Sequence, residues 1–368
     1  MASDMPYEIL VYKGWEFKGW VGRPLDLKPT IRHNLKSTAT FDIDADHLRA
    51  ADLMEPGARV KIYRHGEYQM SGPVRLVGGD FSQAAKLTFS VEDDFRILNN
   101  WLAWPKPTAP LTGQDVEYRT ITGPAETVVK TVMAEAAARL GFPLTVAPSL
   151  GRGASGTYTF RFHPAYDRLF PAVDQAGIGV TVRQEGAGLL LDCYTPRVYA
   201  HHLSAESGTL IGGTYSLAAP NATRVVVGGQ GEGVAREFKG FSDGARESDW
   251  TDIIEVFQDA RDSSVGDVYA TRAAETLADG AALAGLSLEL SETKHFRYGG
   301  SGLRVGDWVT ANIRGQLYTD VLREAQLSWD KGGDKATPVI GERKDDSDAK
   351  LAKSIRALKR DNTDRMTR

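Results

Sequence analysis

A single cysteine stands in 368 residues. Cys193 has no partner within the chain, which excludes an internal disulfide framework and a paired-cysteine metal site and predicts synthesis in a reducing cytoplasm. Charge of one sign is lacking too, since 44 Lys and Arg against 48 Asp and Glu leave a net charge of −4. Such balance creates no strong field of the kind that draws nucleic acid or an anionic membrane surface, so the expected partners are other proteins, with no sequence-specific nucleic acid among them. No run approaches the ~18 apolar residues of a membrane-crossing helix. Residues 1–10 carry acidic side chains and no apolar stretch of signal-peptide length. Neither export nor stable membrane insertion is expected.

Catalytic signatures are equally scarce. The run Val225-Val-Val-Gly228-Gly-Gln-Gly231-Glu-Gly233 is a strand entering a glycine-rich loop, but no Lys-Ser/Thr follows to complete a phosphate loop. Val234-Ala-Arg236-Glu-Phe238 reads as a second strand where a dinucleotide fingerprint needs a helix, so a glycine-permitted turn or bulge is expected here. Asp42-Ile-Asp44-Ala-Asp46 opens like an EF-hand loop, yet His47 and Leu53 occupy the positions that need glycine and glutamate. Polar residues on the outer face of a strand give the same pattern. His201 and His202 are adjacent, and strand neighbours point to opposite faces, so they do not readily share a metal. Neither a His-Glu-x-x-His nor a Gly-x-Ser-x-Gly motif occurs, and Gly151-Arg-Gly-Ala-Ser-Gly156, which comes nearest to the second, reads as a flexible connection. No catalytic, cofactor-binding or metal-ligating residue is assigned, and neither a cofactor nor an enzymatic activity is expected. The absence of a short fixed repeat argues against a solenoid or propeller.

What the sequence does have is short strands broken by turn residues. They are expected at 8–12, 17–21, 37–43, 59–64, 68–76 and 86–92, with Ala39, Phe41 and Ile43 on one face and Thr38, Thr40, Asp42 and Asp44 on the other. Trp101-Leu-Ala-Trp104-Pro105-Lys-Pro107 interrupts the pattern, because two prolines disfavour both helix and central strand. Beyond it, Val128, Val129, Val132, Met133, Ala136 and Leu140 form a helical stripe between Gly123-Pro124 and Gly141. A second helix is expected over 165–176, with Pro171 near a first turn or at a kink. Alternation over 179–194 with Gly186-Ala-Gly188 predicts a hairpin. Strands follow at 209–217, 223–227, 237–241, 253–257, 286–290, 308–313 and 320–328, with an alanine-rich helix over 267–284.

The fold class is therefore mainly β with an α+β insert, as two small split β-barrel domains flanking an α+β domain. The expected divisions are 1–100 for the first barrel, 101–107 for a Trp/Pro linker, 108–205 for the α+β domain, 206–340 for the second barrel with its inserted helix, and 341–368 for a charged helix or tail. In that last stretch Leu351, Ile355 and Leu358 fall on one stripe, too short for a coiled coil, which predicts a helix that orders only against a partner. Seven tryptophans, Trp15, Trp20, Trp101, Trp104, Trp250, Trp308 and Trp329, are candidates for either core or interface.

Ile31-Arg-His-Asn34 followed by Ala39-Thr-Phe41-Asp-Ile43, then Gly57-Ala-Arg-Val60-Lys-Ile62-Tyr63 and Met70-Ser-Gly72-Pro73-Val74, resembles the N-terminal domain of siphovirus hub-type minor tail proteins. Val225 to Gly229 leading to Gly231-Glu-Gly233-x-x-Arg236 is similar to a loop in their second barrel, and the resemblance spans about residues 7–330. It implies a fold like the baseplate hub of T-even phages, in which three subunits set six barrels in a ring. Such a homotrimer presents near-sixfold symmetry to the tail tube and threefold symmetry to the tip. Its partners would be itself, the distal tail and other tail-tip proteins, and its location the virion. Unlike many relatives, this chain has only a short C-terminal extension, with no recognisable lysin or receptor-binding domain. Two alternatives stay open, a tail-associated peptidoglycan hydrolase using a carboxylate of the middle unit and a carbohydrate-binding β-protein using exposed tryptophans.

Overall fold

In β4 (Thr38–Asp44), Ala39, Phe41 and Ile43 bury one face of a pleated strand, as their spacing predicts. The computed structural model that contains it describes residues 5–79, 85–204, 206, 210–261, 266–281, 283–290 and 297–340. The expected C-terminal helix or tail lies outside the described residues. Before β4 come β1 (Tyr7–Lys13), β2 (Glu16–Val21) and β3 (Asp26–Arg32). After it come α1 (Ala50–Met54), β5 (Ala58–Arg64), β6 (Glu67–Gly79), β7 (Lys86–Glu92) and α2 (Ile97–Asn100).

The middle of the chain forms β8 (Leu102–Ala103), β9 (Arg119–Pro124), α3 (Ala125–Leu140), β10 (Leu144–Val146), β11 (Ser155–Phe160), β12 (His163–Pro164), α4 (Ala165–Gln175), β13 (Gly179–Glu185) and β14 (Gly188–Tyr194). The stripe of α3 is buried from Val128 to Ala137, and Gly141 ends the helix at φ +62°, a left-handed cap that glycine adopts without strain. Pro171 sits at the seventh position of α4, in its middle, so of the two expected placements the first turn is excluded. The stretch 101–107 is held against the helices: Trp101 packs edge-on to Phe142, and Arg139 lies 4.2 Å above the Trp104 ring. Buried residues of α3, α4, β13 and β14 make one core with Phe95, Ile97 and Leu98.

The last part contributes β15 (Leu203–Ser204), β16 (Leu210–Ala218), β17 (Arg224–Gly228), β18 (Phe238–Ser242), α5 (Gly244–Trp250), β19 (Glu255–Asp259), α6 (Gly266–Asp279), β20 (Leu283–Leu290), β21 (Trp308–Ile313), β22 (Gln316–Asp330) and β23 (Gly333–Ile340). Three of its expected strands leave the main sheet: β18, β17 and β19 form a separate sheet, with α6 against one face through Val225, Val227, Tyr269 and Ala273.

The main sheet runs β16-β20-β23-β22-β3-β4-β7-β6-β5-β1-β2, with β21 branching from the first half of β22 and β15 pairing beside it. The architecture is mainly β with an α+β insert, as expected. No closed barrel occurs among the described residues, because β3 bonds to β4 on one side and to β22 on the other and so joins both β-rich units in one open sheet. Ala325, Leu327 and Ala336 of β22 and β23 complete the core of the first unit. Strand β3 was missed in the sequence because it carries Pro29. Its ladder to β22 skips Lys28 and Pro29, so the missing N–H falls in a gap.

Candidate assembly surface

Three sets of buried polar contacts hold the units together and so fix whatever surface they present. Between the first unit and the middle one, Arg59 donates to both oxygens of Asp94 at 2.7 and 2.8 Å and to Gln184 Oε1 at 3.1 Å. Ser71 donates to Asp94 Oδ2 at 2.6 Å and accepts from the Gln184 N–H at 2.8 Å. Arg59 also lies 4.5 Å over the Trp15 ring. Asn34, at φ +51°, donates to Asp174 and to the Ile178 carbonyl and accepts from the Val180 N–H, while His33 Nδ1 meets the Tyr194 hydroxyl at 2.7 Å. Burial holds the imidazole of His33 neutral, its pKa pushed down to about 3 with the Arg323 charge acting in the same direction. Between the first and last units, Arg64 of β5 forks onto Asp334 of β23 and reaches the Tyr298 carbonyl, and Arg32 of β3 pairs with Glu324 of β22 at 2.7 Å.

A cavity of about 470 Å³ lies where the three units meet, lined among others by Ser37, Tyr68, Asp93, Thr181, Tyr194 and Asp307. Asp93 is buried, and its Oδ1 has no hydrogen-bond partner. Burial pushes its carboxyl up to about 8, against hydrogen bonds from Ser37 and with the neighbouring Asp94 charge adding to the rise. A neutral carboxylic acid therefore faces this junction near neutral pH.

The sequence motifs resolve into structural roles. Gly228 and Gly229 let the chain pass close to Arg236 and Tyr269, since a Cβ on either would lie 2.6 Å from the Arg236 guanidinium or 1.9 Å from the Tyr269 hydroxyl. Arg236 donates to the carbonyls of both glycines and to Asp259. The loop thus encloses this chain's own guanidinium, and a single 3-10 turn at Gly233–Ala235 leads from it to β18, which begins only at Phe238, so Val234 to Glu237 are not the strand the sequence suggests and no helix N-terminus of the kind a phosphate site needs follows. Asp42 is bonded to Lys86 and Thr88, both at 2.6 Å. Burial works to raise its pKa, but these partners hold it below the ordinary value. Gly151 to Gly156, expected to be flexible, is clamped: Arg152 bonds Glu126 through its backbone N–H and its guanidinium, and Lys130 joins Glu126 to Asp192. The Arg152 bonds, opposed by burial and aided by Lys130, hold Glu126 well below the usual carboxylate range. Cys193 is buried, which pushes its thiol up to about 12. Tyr199 packs edge-on to His201, and no group of three or more possible metal ligands occurs among the described residues. No helix among them is long and apolar enough to cross a membrane.

The exposed aromatic surface is more informative. Strand β2 ends the main sheet and pairs only with β1 among the described residues. Its register is Tyr12 with Phe17 and Val11 with Gly19, so Lys18 is an extra, bulged residue, and Gly19 takes φ +138°. The bulge places Phe17 and Trp20, three residues apart, on one face of the edge strand. Without it they would point opposite ways. They stack with centroids 6.2 Å apart, and Tyr12 meets Phe17 edge-on at 5.4 Å. Phe17 is 47% and Trp20 65% exposed. Arg49 accompanies the bulge, donating to the Lys18 carbonyl and pairing with Asp52. Trp250 and Trp308 are also exposed, whereas Trp15, Trp101 and Trp329 pack against cores. Spacing alone could not have found the Phe17 and Trp20 pair, because i, i+3 on a regular strand predicts opposite faces.

The model of the siphovirus ReqiPepy6 Gp37-like protein family matches residues 8–342. Among solved structures, the chain is similar to the 43 kDa tail protein of prophage MuSo2 from Shewanella oneidensis, with a TM-score of 0.59 at 11% identity over 91% of this chain and 98% of that one. It is similar to the tail protein from Neisseria meningitidis MC58, with a TM-score of 0.57 at 13% identity over 91% and 96%. The prophage tail protein gp18 from Listeria monocytogenes gives a TM-score of 0.54 at 10% identity over 96% and 99%. No curated protein matches. The chain belongs to the siphovirus ReqiPepy6 Gp37-like family and shares its fold with these phage tail proteins.

Proposed function

We propose that this chain is a structural hub of the tail tip, a homotrimeric ring that adapts the sixfold tail tube to the threefold tip and works by burying interfaces, without catalysis. Residues 1–100 and 206–340 would act as the two ring-forming halves of each subunit, and 108–205 as the buttress between them, joined by 101–107. The observation that carries this reading is the open sheet, which ends in β2 and β16, with the bulge-built aromatic pair on the β2 edge. An edge strand exposes unpaired N–H and C=O groups, and large aromatics on such an edge favour burial against another chain. A head-to-tail contact that uses different surfaces of identical subunits closes into a ring when its rotation allows. The mass of the purified protein and the symmetry of its density in an intact tail test the proposal. Three copies around the tail axis are expected, and two or six would reject the threefold hub. A monomer in dilute solution would leave the ring standing only if the tail density has three copies.

A second reading rests on the same pair. Stacked, exposed rings such as Phe17 and Trp20 also suit the apolar face of a sugar. Glycan binding by the monomer that disappears in Trp20→Ala would favour a carbohydrate-binding role over the hub.

A further inference from the structure

Among the described residues, the inserted sheet β18-β17-β19 is covered by α6 on one side only. In register, its other face carries three rows: Ser242, Arg224 and Glu255; Gly240, Val226 and Phe257; Phe238, Gly228 and Asp259. Gly240 leaves a trough in the middle row, since a Cβ there would meet nothing within 4 Å. Arg236 fills the corner above Gly228, 5.5 and 5.3 Å from the rings of Phe238 and Phe257. Both phenylalanines remain more than half exposed, at 54% and 55%, and Ile253 beside them is exposed as well. The module is acidic. Residues 224–259 hold eight acidic and four basic side chains, and Arg224 and Arg236 are already paired with Glu247 and Asp259.

The chain holds one segment of matching chemistry. Residues 349–360 carry five basic side chains and no acidic one, with Leu351, Ile355 and Leu358 on a single helical stripe. The course of the backbone delivers this segment to the right place. Strand β23 pairs antiparallel with β20, Val339 opposite Ser287 and Ile340 opposite Leu286, so at Ile340 the chain travels toward Leu283. Leu283 pairs with Ala218, and the module starts a few residues on, where the Asn221 N–H bonds the Gly280 carbonyl. Three strand residues, about 10 Å, separate Ile340 from that root. The eight residues 341–348 then span up to ~26 Å when extended, and a 12-residue helix of ~18 Å matches the ~17 Å length of a five-residue strand.

We propose that residues 349–360 dock as a helix on the open face of β17, β18 and β19 in the same chain, setting Leu351, Ile355 and Leu358 against Val226, Phe238 and Phe257 and their basic side chains beside Glu255 and the acidic rim. The docked segment covers the apolar trough and partly neutralises the module. Hydrogen exchange on the full chain tests this, comparing wild type with the triple variant Leu351→Ser, Ile355→Ser, Leu358→Ser. Amides of β18 and β19 are expected to exchange on the order of tenfold faster in the variant, while those of β4 and β7 stay unchanged, because losing a docked element raises local opening without global unfolding. Equal exchange of β18 and β19 in the two proteins would overturn the proposal. Zero-length carbodiimide coupling in a mixture of light and heavy-isotope chains identifies the occupant. Coupling of Lys353 or Lys359 to Glu255 within one chain supports it. Mixed-mass products would give the face to another copy and reject same-chain docking, and coupling confined to sites outside the module would reject the surface.

Discussion

Two β systems in this chain are built from similar residues and end in opposite states. In the first, Ile9, Val11, Leu27, Ile43, Val60, Ile62 and Phe89 are fully buried, and strands from the far end of the chain close over them. In the second, Val225 and Val227 are buried under α6, while Phe238 and Phe257 on the opposite face of the same three strands lie open. Strand-forming residues alone do not determine burial; a second layer does, and among the described residues the inserted sheet has one on a single face. The first system is thus a rigid scaffold. The second is a surface awaiting cover.

The sharpest contrast lies in the ion pairs. Arg59 and Asp94 are buried together, whereas Arg224 and Glu247 sit at the module's surface. Asp94→Ala leaves a guanidinium desolvated and unpaired, and is expected to lower unfolding free energy by about 3–5 kcal/mol. Glu247→Ala should cost far less, because water and salt screen a pair at the surface. Urea unfolding of both variants checks the difference, and equal losses would erase the distinction between scaffold and surface. The same contrast applies to phenylalanines. Phe41, stacked on Phe89 at 5.3 Å within the core, should cost about 3–5 kcal/mol when replaced by alanine, and Phe17→Ala, on the exposed β2 edge, under about 1 kcal/mol.

The junction responds to pH in a definite direction. Asp93 has a folded pKa raised to about 8 from 3.8, so between these values the folded state keeps a proton that the unfolded state has lost. The contribution of Asp93 to stability then falls as pH rises through this window, by at most about 1.4 kcal/mol per pH unit, and below about pH 6.5 it is opposed by His33, which the fold keeps neutral while the unfolded chain protonates it. Asp93→Asn removes the titrating group and should flatten the profile of melting temperature between about pH 6.5 and 8, where His33 is neutral in both states. An equally steep decline in the variant would assign the dependence to other groups.

These contrasts were only half legible in the sequence. Period-2 alternation located β4 and β5 because their core faces are continuous, and the glycine at 141 located the end of α3. Alternation reports a strand and its buried face without naming its neighbour. That is why β17, β18 and β19 were assigned to a barrel they do not join, and why the sharing of β3 between two units was invisible. Strand β23 went unread because Gly333 and Pro338 resemble loop chemistry, although tertiary pairing to β22 overrides it. The interlocks of Arg59 with Asp94 and of Arg64 with Asp334 join residues 35 and 270 positions apart, a relation that no local pattern carries. The candidate surface depended on a single bulged residue.

The smallest expected effect on stability is the one that tests that surface. Trp20 lies on an edge strand, mostly in solvent, with Phe17 as its stacking partner. Its replacement by serine removes a ring that covers none of the buried core, so the isolated chain should unfold within about 1 kcal/mol of wild type, the range of one exposed aromatic contact. Interface aromatics behave differently, because a ring desolvated between two chains can cost 2 kcal/mol or more on truncation, roughly a 30-fold loss of affinity. Trp20→Ser is therefore expected to keep its melting curve and to be depleted from assembled tails when competing with wild-type protein. A similar substitution at Leu150, exposed on a loop of the middle unit, should leave incorporation unchanged. Normal incorporation of Trp20→Ser would remove the β2 edge from the interface, while a large loss of stability would show that the pair supports the scaffold and not the assembly.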